Sequence, residues 1–519
     1  MFKLIVLILY GLLLLSTVMV IIFDDGDSGR KVAWLLVISI LPIFGLILYI
    51  LFGINYRHHW IFKKMHQKSI DAFKEGINPE IYDLLFSKRG EAEVDPAYAP
   101  LAKLLNTAPS TTVTDDNDVE IITDGHRKYE LLMDDLKNAK ESIHMEYFLF
   151  GKDEGSQRVK NLLMQKASEG VKVRFIYENV ANFPISPVYY SDMKKAGVEV
   201  VKFTNPRNHL INFITKLNYR NHRKIVVIDN KIGYTGGMNI GDRYFQIWRD
   251  THMRMTGNAV GVLQYIFMDS WITAGGSLDK ELKYYFPQAH LPAKAEGTTV
   301  ESLQRNEHSV GIHADTRAFS QEYADHISLS GTKILLRDKL VQIVPDEPDS
   351  KWPLIQMSYE WVLANTKDYI YLQTPYFVPP ESVLQALKSA ALRGVDVRLM
   401  IPVKADSFFM GPANKSYFDE CIKAGIRIYE RGGEFMHSKT FVSDDYISCI
   451  GTANMDFRSF NINYEVNTYI YDKDTAKMNK AIFLKDLELC KEVTLERWSR
   501  RSWGTKFIQN ILRLFSPLL

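Results

Sequence analysis

The chain opens with two long apolar stretches. Residues 4–23 contain no charged side chain, and residues 32–54 form a second uncharged run of 23 positions. As a helix, the second run extends about 34 Å, which exceeds the hydrocarbon core of a bilayer at about 30 Å. No small-residue cleavage site follows the first run, and the second comes directly after it. The pattern therefore favours two transmembrane helices over a signal peptide followed by a buried helix.

The charges that flank these runs indicate their orientation. The connector DDGDSGRK at 24–31 is net acidic, whereas YRHHWIFKKMHQK at 56–68 is basic and carries Trp60. By the positive-inside rule, the basic side and the rest of the chain lie in the cytoplasm. Residues 1–67 are therefore predicted to be a membrane anchor with two transmembrane helices and a basic juxtamembrane segment.

After the anchor, segments with helical spacing alternate with short β-rich runs. YELLMDDLKNAKES (129–142) has apolar residues at helical spacing, whereas KIVVID (224–229) and KTFVSD (439–444) are typical of buried strands. GVKVRFIYE (170–178) is a strand that follows a helix ending in glycine. This alternation predicts an α/β sandwich with a largely parallel sheet.

Parts of this pattern occur twice. NAKESIHMEYF (138–148) is similar to NTKDYIYLQTPYF (365–377). The repeat unit is about 150 residues long, which is the size of a domain rather than of a solenoid unit. We therefore expect one repeat at 99–258 and a second at 339–490, separated by a linker or inserted segment at 259–338.

Two short motifs carry the candidate chemistry. HRKIVVID and HSKTFVSD place histidine, lysine and aspartate at the same offsets, and an asparagine and an acid follow each histidine at 17 and 28 residues. One such motif can arise by chance in a long chain, but two copies that also share the later offsets are hard to explain that way. The candidate set comprises His222, Lys224, Asp229, Asn239 and Asp250 in the first repeat and His437, Lys439, Asp444, Asn454 and Glu465 in the second.

These residue types indicate a phosphate site. Residues i and i+2 of a strand share a face, so His437 and Lys439 are expected to project together from one strand. An imidazole and an ammonium group each raise the cost of charging the other unless an anion lies between them. If the repeats face each other, two lysines compensate the phosphate charge. The asparagine amides and backbone N–H groups near Gly237 and Thr452 add donors.

The same set can carry out a two-step transfer without a metal. One histidine can attack phosphorus and form a phosphohistidine, while the other protonates the leaving oxygen and then acts as base. We expect Asp250 and Glu465 to accept the second N–H of a histidine, which fixes its tautomer and raises its pKa. Asp229 and Asp444 complete the motifs, and we expect them to fix the turn at a strand end. The symmetry of the sequence does not assign the two histidine roles.

Composition narrows the function further. The formal net charge is +2, and the chain shows no dense basic groove with interleaved aromatic residues, so no nucleic-acid partner is expected. Cys421, Cys449 and Cys490 lack metal-ligand spacing and are too few for a disulfide framework. The 13 histidines form no HExxH-type motif, so neither a metal nor another cofactor is predicted.

The C-terminal residues 495–519 mix arginine and lysine with tryptophan, phenylalanine and leucine. This pattern predicts a short amphipathic, basic helix that lies in a lipid interface. The alternative is a helix docked on the body of the protein.

The paired motifs resemble the HKD motifs of the phospholipase D superfamily. With the two apolar runs and the ending SPLL, nearly the whole chain resembles the bacterial cardiolipin synthases, although the segment 287–338 looks longer than is usual in that family. The resemblance implies two phospholipase D-like αβα sandwich repeats that transfer a phosphatidyl group from one phosphatidylglycerol to another through a phosphohistidine, releasing glycerol. It also implies that His222 is the nucleophile and His437 the acid and base. The expected location is the bacterial inner membrane, as a multi-pass protein in contact with anionic lipids.

Alternative functions stay open at this stage. A phospholipase D, or a phosphatidyltransferase with a different acceptor, would use the same two motifs, because only the acceptor pocket differs. A membrane-tethered nuclease is disfavoured by the charge pattern, and a scaffold without activity would not require two complete catalytic sets. The sequence does not indicate an oligomeric state.

Overall fold

The computed structural model describes residues 2–23, 28–49, 93–182, 185, 187–203, 219–277, 335–348, 350–407, 409–514 and 516. Its helices are α1 (Phe2–Phe23), α2 (Ser28–Ile40), α3 (Pro42–Leu48), α4 (Ala99–Leu105), α5 (Gly125–Asn138), α6 (Glu154–Ser168), α7 (Pro187–Lys195), α8 (Asp242–Gln246), α9 (Ala259–Thr273), α10 (Leu354–Asn365), α11 (Glu381–Leu392), α12 (Met410–Ser416), α13 (Phe418–Lys423), α14 (Phe457–Asn461), α15 (Lys473–Leu487), α16 (Leu495–Ser499) and α17 (Trp503–Leu514).

The strands fall into two groups, one in each repeat. The first group is β1 (Val113–Ile122), β2 (Ser142–Tyr147), β3 (Lys172–Tyr177), β4 (Glu199–Lys202), β5 (Lys224–Ile228), β6 (Ile232–Gly236), β7 (Trp248–Arg249) and β8 (His252–Thr256). The second group is β9 (Leu335–Asp346), β10 (Tyr369–Gln373), β11 (Phe377–Val378), β12 (Asp396–Pro402), β13 (Arg427–Arg431), β14 (Phe435–Met436), β15 (Thr440–Ser443), β16 (Ile447–Gly451), β17 (Met455–Asp456), β18 (Glu465–Tyr471) and β19 (Cys490–Glu492).

Fifteen of these strands form one continuous sheet. Its order is β19-β13-β12-β10-β15-β16-β18-β9-β1-β8-β6-β5-β2-β3-β4. The first strands of the two repeats, β1 and β9, lie side by side and antiparallel at its centre. On either side of this pair the strands follow the same order, so the two repeats are related by a pseudo-two-fold axis between β1 and β9.

The sheet is mixed, and the prediction of a largely parallel sheet was therefore wrong. Four neighbouring pairs are parallel, whereas ten are antiparallel. One source of antiparallel pairing is the hairpin that follows each motif. Asp229 and Asn230 both have φ of 50°, as do Asp444 and Asp445. These left-handed residue pairs are typical of tight hairpin turns, and they send the chain back as an antiparallel strand.

The hydrophobic core includes a part that the two repeats share. One cluster lies between the sheet and α5 and α6, and another lies under α10 and α11. The central cluster joins α9 to β9, β18 and α15. The linker or insert expected at 259–338 thus begins with a helix that packs in the core, and β9 starts before it ends. Residues 278–334 lie outside the described residues.

At the N-terminus, α1, α2 and α3 pack together around Ile21, Trp34, Ile38 and Tyr49. Within the part of the chain that the structure describes, none of the helices has the length and apolar character needed to cross a membrane. The prediction of two transmembrane helices is therefore not confirmed by the structure. The basic segment that follows them lies outside the described residues.

The C-terminal helix α17 is docked on the protein through its polar side. Gln509 is buried, Arg513 forms an ion pair with Glu420 at 2.6 Å, and Ser516 bonds the hydroxyl of Tyr417 at 2.8 Å. The opposite side of α17 is apolar and exposed, with Trp503, Phe507, Ile508 and Leu514 facing outwards. The alternative of a docked helix thus describes the tail, and contact of its exposed apolar face with lipid stays a prediction.

Candidate active site

Each motif histidine stands just before a strand rather than within it. His222 precedes β5 and His437 precedes β15, so the expectation that His437 and Lys439 project from one strand was wrong. Instead, each histidine is held by the other repeat. The N–H of His222 donates to the carbonyl of Tyr464 at 2.9 Å, and the N–H of His437 donates to the carbonyl of Arg249 at 2.8 Å.

The two candidate acids are exchanged between the repeats. Nδ1 of His222 lies 2.9 and 3.0 Å from the two carboxylate oxygens of Glu465. Nδ1 of His437 lies 2.7 Å from Oδ2 of Asp250. Neither carboxylate is exposed to solvent. Because Nδ1 of each ring is engaged, Nε2 is the atom of each histidine available for chemistry.

The lysines lie beside the histidines and are buried with them. Nζ of Lys224 donates to the carbonyl of His222 at 2.7 Å, and Nζ of Lys439 donates to that of His437. Burial lowers the pKa of Lys224 to about 7 and that of Lys439 to about 8. A bound phosphate would offset this desolvation by supplying negative charge.

The electrostatic coupling places both motifs in one cluster. Burial lowers the pKa of His222 to about 4, and the charges of Lys224 and Lys439 add to this effect. Burial lowers the pKa of His437 to about 3, again with help from both lysines. The acids do raise the histidine pKa values, as expected, but burial and the lysines outweigh them. Both rings are therefore neutral at pH 7 without substrate.

Some groups of the asparagines and of the residues near them have partners within the protein. The backbone N–H of Gly237 donates to Thr251 at 2.8 Å, and that of Thr452 donates to Val466 at 3.0 Å. These two N–H groups are therefore not available to phosphate, whereas phosphate binding by the asparagine amides and by other N–H groups nearby stays a prediction. Oδ1 of Asn239 accepts the N–H of Leu149 at 3.1 Å. Oδ1 of Asn454 is buried and, within the described residues, has no partner.

Gly237 and Thr452 instead shape the environment of the two acids. A Cβ atom at Gly237 would lie 2.1 Å from Oδ1 of Asp250, so only glycine leaves room for that carboxylate. At the equivalent position of the second repeat, Oγ1 of Thr452 donates to Glu465 at 2.6 Å. The absence of a side chain at Gly237 thus makes room for Asp250, whereas a hydrogen bond from Thr452 holds Glu465.

The motif aspartates lie at the far ends of the strands from the histidines. The carboxylate of Asp229 accepts the N–H groups of residues 140, 141 and 142 at 2.8–2.9 Å. Asp444 accepts those of residues 367, 368 and 369 at 2.8–3.0 Å. Seven residues of extended chain separate each aspartate from its histidine, which is about 23 Å. Both carboxylates therefore hold the start of a neighbouring strand and do not meet the histidines.

Aromatic residues that the sequence motifs did not predict lie around the histidines. The ring of Phe148 lies 4.8 Å from that of His222, in an edge contact. On the other side, Trp248 lies 5.1 Å and Phe435 lies 6.0 Å from the ring of His437. These rings keep water from the imidazoles. Phe148 lies in a repeated segment, and Trp248 stands two residues before a candidate acid, so both had a sequence signal.

A buried ion pair behind His437 was also missed. Arg249 donates to Asp486 at 2.7 Å and to Oγ of Ser438 at 3.0 Å. Asp486 also contacts Arg431 at 3.3 Å and Gln373 at 2.9 Å. The only signal in the sequence is that Arg249 directly precedes Asp250.

The arrangement is suited to a substitution reaction at the phosphorus atom of a phosphodiester. The two motif histidines and the two motif lysines are buried, and each histidine is affected by the charges of both lysines. Among the described residues, no cluster of three or more histidine, cysteine, aspartate or glutamate side chains is placed to hold a metal ion. The residues present can themselves supply the nucleophile, the acid and the compensating charge.

Comparison with known proteins identifies relatives of the chain. A sequence profile described as "Cardiolipin synthase, PLD-like domain" matches residues 132–270 and 361–487. A second profile, described as "Phospholipase_D-nuclease N-terminal", matches residues 12–53. The first profile thus matches once in each half of the central sheet, which confirms the prediction of two phospholipase D-like repeats.

Individual relatives match along nearly the full length. Cardiolipin synthase 2 of Bacillus anthracis is 35% identical over 506 residues, which cover 96% of this chain and 89% of that protein. Major cardiolipin synthase ClsA of Bacillus subtilis (strain 168) is 34% identical over 515 residues, covering 98% and 97%. Among solved structures, a phosphatidylserine synthase of Haemophilus influenzae Rd KW20 has a TM-score of 0.52 over 77% of this chain and 93% of that one. Its sequence identity of 14% shows similarity of fold alone.

Proposed function

The chain belongs to the cardiolipin synthase family of phospholipase D-like proteins, and we propose that it forms cardiolipin from two molecules of phosphatidylglycerol. The observation that carries this proposal is the pair of crossed contacts, His222 with Glu465 and His437 with Asp250. These contacts orient two imidazoles within one site that also contains both motif lysines. A double-displacement reaction at phosphorus needs this combination of groups.

The first step transfers the phosphatidyl group to the protein. Nε2 of His222 attacks the phosphorus of phosphatidylglycerol, the P–O bond to the glycerol headgroup breaks, and His437 gives its proton to the leaving oxygen. Glycerol departs, and the phosphatidyl group stays bound to His222. Binding of the anionic phosphodiester offsets the lysine charges that lower the pKa of His437, which favours its protonated form in the complex.

The second step passes the group to a lipid alcohol. His437, now neutral, takes the proton from a headgroup hydroxyl of a second phosphatidylglycerol, and the oxygen attacks phosphorus. The P–N bond to His222 breaks, and cardiolipin leaves. Water at the same position would give phosphatidic acid instead, so the aromatic rings of Phe148 and Trp248 favour transfer by limiting access of water. Assignment of the nucleophile to His222 follows the family resemblance.

We also propose that the protein is attached to the inner membrane, with the catalytic repeats on the cytoplasmic side. Three observations support this: the two uncharged N-terminal runs, the basic segment after them, and the apolar face of α17. Basic residues near anionic lipid contribute about 1 kcal/mol each to attachment. The substrate would then reach the site from the bilayer surface.

Product analysis tests the proposed reaction. The purified full-length protein is incubated with phosphatidylglycerol vesicles in the presence of a chelator, and the lipids and released alcohol are identified by mass. We expect cardiolipin and glycerol in equal amounts, and neither with a variant that lacks both histidines. Phosphatidic acid as the main product would show a hydrolase, and would overturn the proposal.

A further inference from the structure

The two sides of the active site carry different cationic groups outside the motifs. We propose that Arg220 and Arg458 form a second phosphate subsite, on the His222 side, which binds the phosphodiester of the acceptor lipid. This inference rests on the proposed function, because only a phospholipid acceptor brings a second phosphate to the site.

Arg220 lies close to the proposed nucleophile along the chain. It stands two residues before His222, and the intervening Asn221 turns away to donate to Glu146. The carbonyl of Arg220 accepts the N–H of Tyr464 at 2.8 Å. The segment that carries Arg220 and His222 is held against the second repeat by a parallel bridge between Asn221 and Tyr464. Its Nη1 atom is buried and has no hydrogen-bond partner among the described residues. A bound anion would complete this group.

Arg458 reaches the same place from the second repeat. It lies in α14, and its carbonyl accepts the N–H groups of Ile462 and Asn463 at 2.8 and 2.9 Å, in the turn that leads to Glu465. Burial lowers the pKa of Arg458, and the positive charge of Arg220 lowers it further. The two guanidinium groups are therefore close enough to repel each other. An anion between them would turn this repulsion into attraction.

Three carboxylates lie near this pair, and one of them, Glu178, acts on the charge of Arg220. Glu178 accepts a backbone N–H three residues further along the chain, and burial raises its pKa. Asp456 caps α14 by accepting a backbone N–H at 2.6 Å, and burial raises its pKa to about 6. Glu465 is bound to His222. Among the described residues, none of these carboxylates accepts a hydrogen bond from Nη1 of Arg220, which leaves that group for a ligand.

The pseudo-symmetry shows that this pair is specific to one side. Arg458 is equivalent to Arg243, since both follow the motif asparagine by four residues (458 − 454 and 243 − 239). Arg243, however, lies against the rings of Tyr244 and Trp248, at 5.0 and 4.8 Å. The equivalent of Arg220 is Phe435, by the same offset of 215 that separates the two histidines. Two arginines thus meet beside His222, whereas an arginine and aromatic rings lie beside His437.

A second anion subsite would select the acceptor. The motif lysines compensate the phosphate that is transferred, so the arginine pair is left for another phosphate. A phosphatidylglycerol acceptor carries one, whereas water and free glycerol carry none. Binding the charged acceptor near the phosphohistidine would favour cardiolipin over hydrolysis or return of glycerol.

The test compares two acceptors with one donor. Cardiolipin formation uses a charged acceptor, whereas exchange of radiolabelled glycerol into phosphatidylglycerol uses the same first step with a neutral one. For R220Q and R458Q we expect cardiolipin formation to fall about 10- to 100-fold, with a higher phosphatidylglycerol concentration needed for half-maximal rate. Exchange should stay within about three-fold of wild type, and R458K should recover part of the lost activity.

Controls separate this role from a loss of structure. R158Q removes an exposed arginine that pairs with Glu154 on α6, and it should change neither reaction. Thermal unfolding of each variant checks its fold. Equal losses of exchange and cardiolipin formation, or no loss of either, would overturn the subsite. If the proposed function is wrong, the wild-type protein should exchange glycerol but form no cardiolipin. That result would show that phosphatidylglycerol is not an acceptor, and the subsite would then have no ligand.

Discussion

Both carboxylate oxygens of Glu465, a residue of the second repeat, lie within 3.0 Å of Nδ1 of His222 in the first repeat. Asp250 makes the reciprocal contact with His437 at 2.7 Å. Each histidine therefore depends on the other repeat for its tautomer. The two acids should affect different steps, because the histidines that they orient have different proposed roles.

The first prediction separates the two acids kinetically. E465Q replaces the carboxylate that holds the Nδ1–H of His222 with a neutral amide and should lower kcat by roughly 10²- to 10⁴-fold. With a nitrophenyl phosphatidyl donor, whose leaving group needs no acid, E465Q should lose the burst of nitrophenol, whereas D250N should keep the burst and slow turnover. Burst kinetics measures this, with E492Q as a surface control. An intact burst in E465Q would contradict the crossed assignment.

The second prediction identifies the nucleophile. In H437A, the nitrophenyl donor should load the phosphatidyl group onto the protein, and discharge should be slow because no base activates the acceptor. H222A should form no adduct. Mass analysis of peptides from the acid-quenched protein should place the adduct on His222. An adduct on His437 would move the nucleophile to the second repeat, and both variants should lack cardiolipin formation.

The third prediction concerns pH. His222 is neutral above its lowered pKa of about 4, so with the nitrophenyl donor, whose leaving group needs no acid, the burst rate should fall on the acid side only below about pH 5. The charges of Lys224 and Lys439 are lost as pH rises through about 7 and 8, so phosphate binding should weaken in that window. K224R keeps its charge, and its alkaline limb should move upwards. If activity falls at the same alkaline pH in K224R as in the wild-type protein, the charge of Lys224 does not determine that pH.

The fourth prediction concerns the ion pair behind His437. D486A leaves Arg249 and Arg431 buried without their acid and should lower the free energy of unfolding by about 3–5 kcal/mol. The matched control is E492A, which removes a half-exposed partner of Arg427 and should cost at most about 1 kcal/mol. Urea denaturation followed by circular dichroism measures both changes. Equal losses would show that the Asp486 network does not stabilise the fold.

The fifth prediction places α17 against lipid. A polarity-sensitive label at F507C, in a C490S background, should move to a shorter emission wavelength with phosphatidylglycerol vesicles, because the apolar face enters the interface. A label at L392C, an apolar residue exposed elsewhere on the protein, should not respond. Equal spectra at position 507 with and without vesicles would exclude this contact. F507D should lower activity on vesicles about 10-fold for the same reason.

Local patterns in the sequence were sufficient to predict the helices and strands next to the motifs. Short β-rich runs predict β5 and β15, and helical spacing predicts α5. The repeat of the motif residues predicted one phosphate site with two histidines, two lysines and two orienting acids. These features are encoded locally, by residue type and by spacing.

Features that depend on tertiary contacts could not be predicted in this way. Offsets of 28 residues within each repeat give no sign that Asp250 serves His437, since that contact crosses the boundary between the repeats. The backbone N–H groups of Gly237 and Thr452 are used within the sheet, and sequence does not show hydrogen-bond partners. The burial that lowers the histidine pKa values also arises only when the two halves meet.

Neither repeat contains a complete histidine–acid pair, and this has a consequence for the origin of the molecule. A single-repeat ancestor would have acquired function only as a homodimer, with two identical subunits joined along the edge now formed by β1 and β9. Fusion of two gene copies places both halves on one polypeptide, so that the sequence of each half can change independently. Two pairs of equivalent positions now differ between the repeats: Arg220 corresponds to Phe435, and Gly237 corresponds to Thr452. In a strict homodimer, every substitution would be present in both subunits.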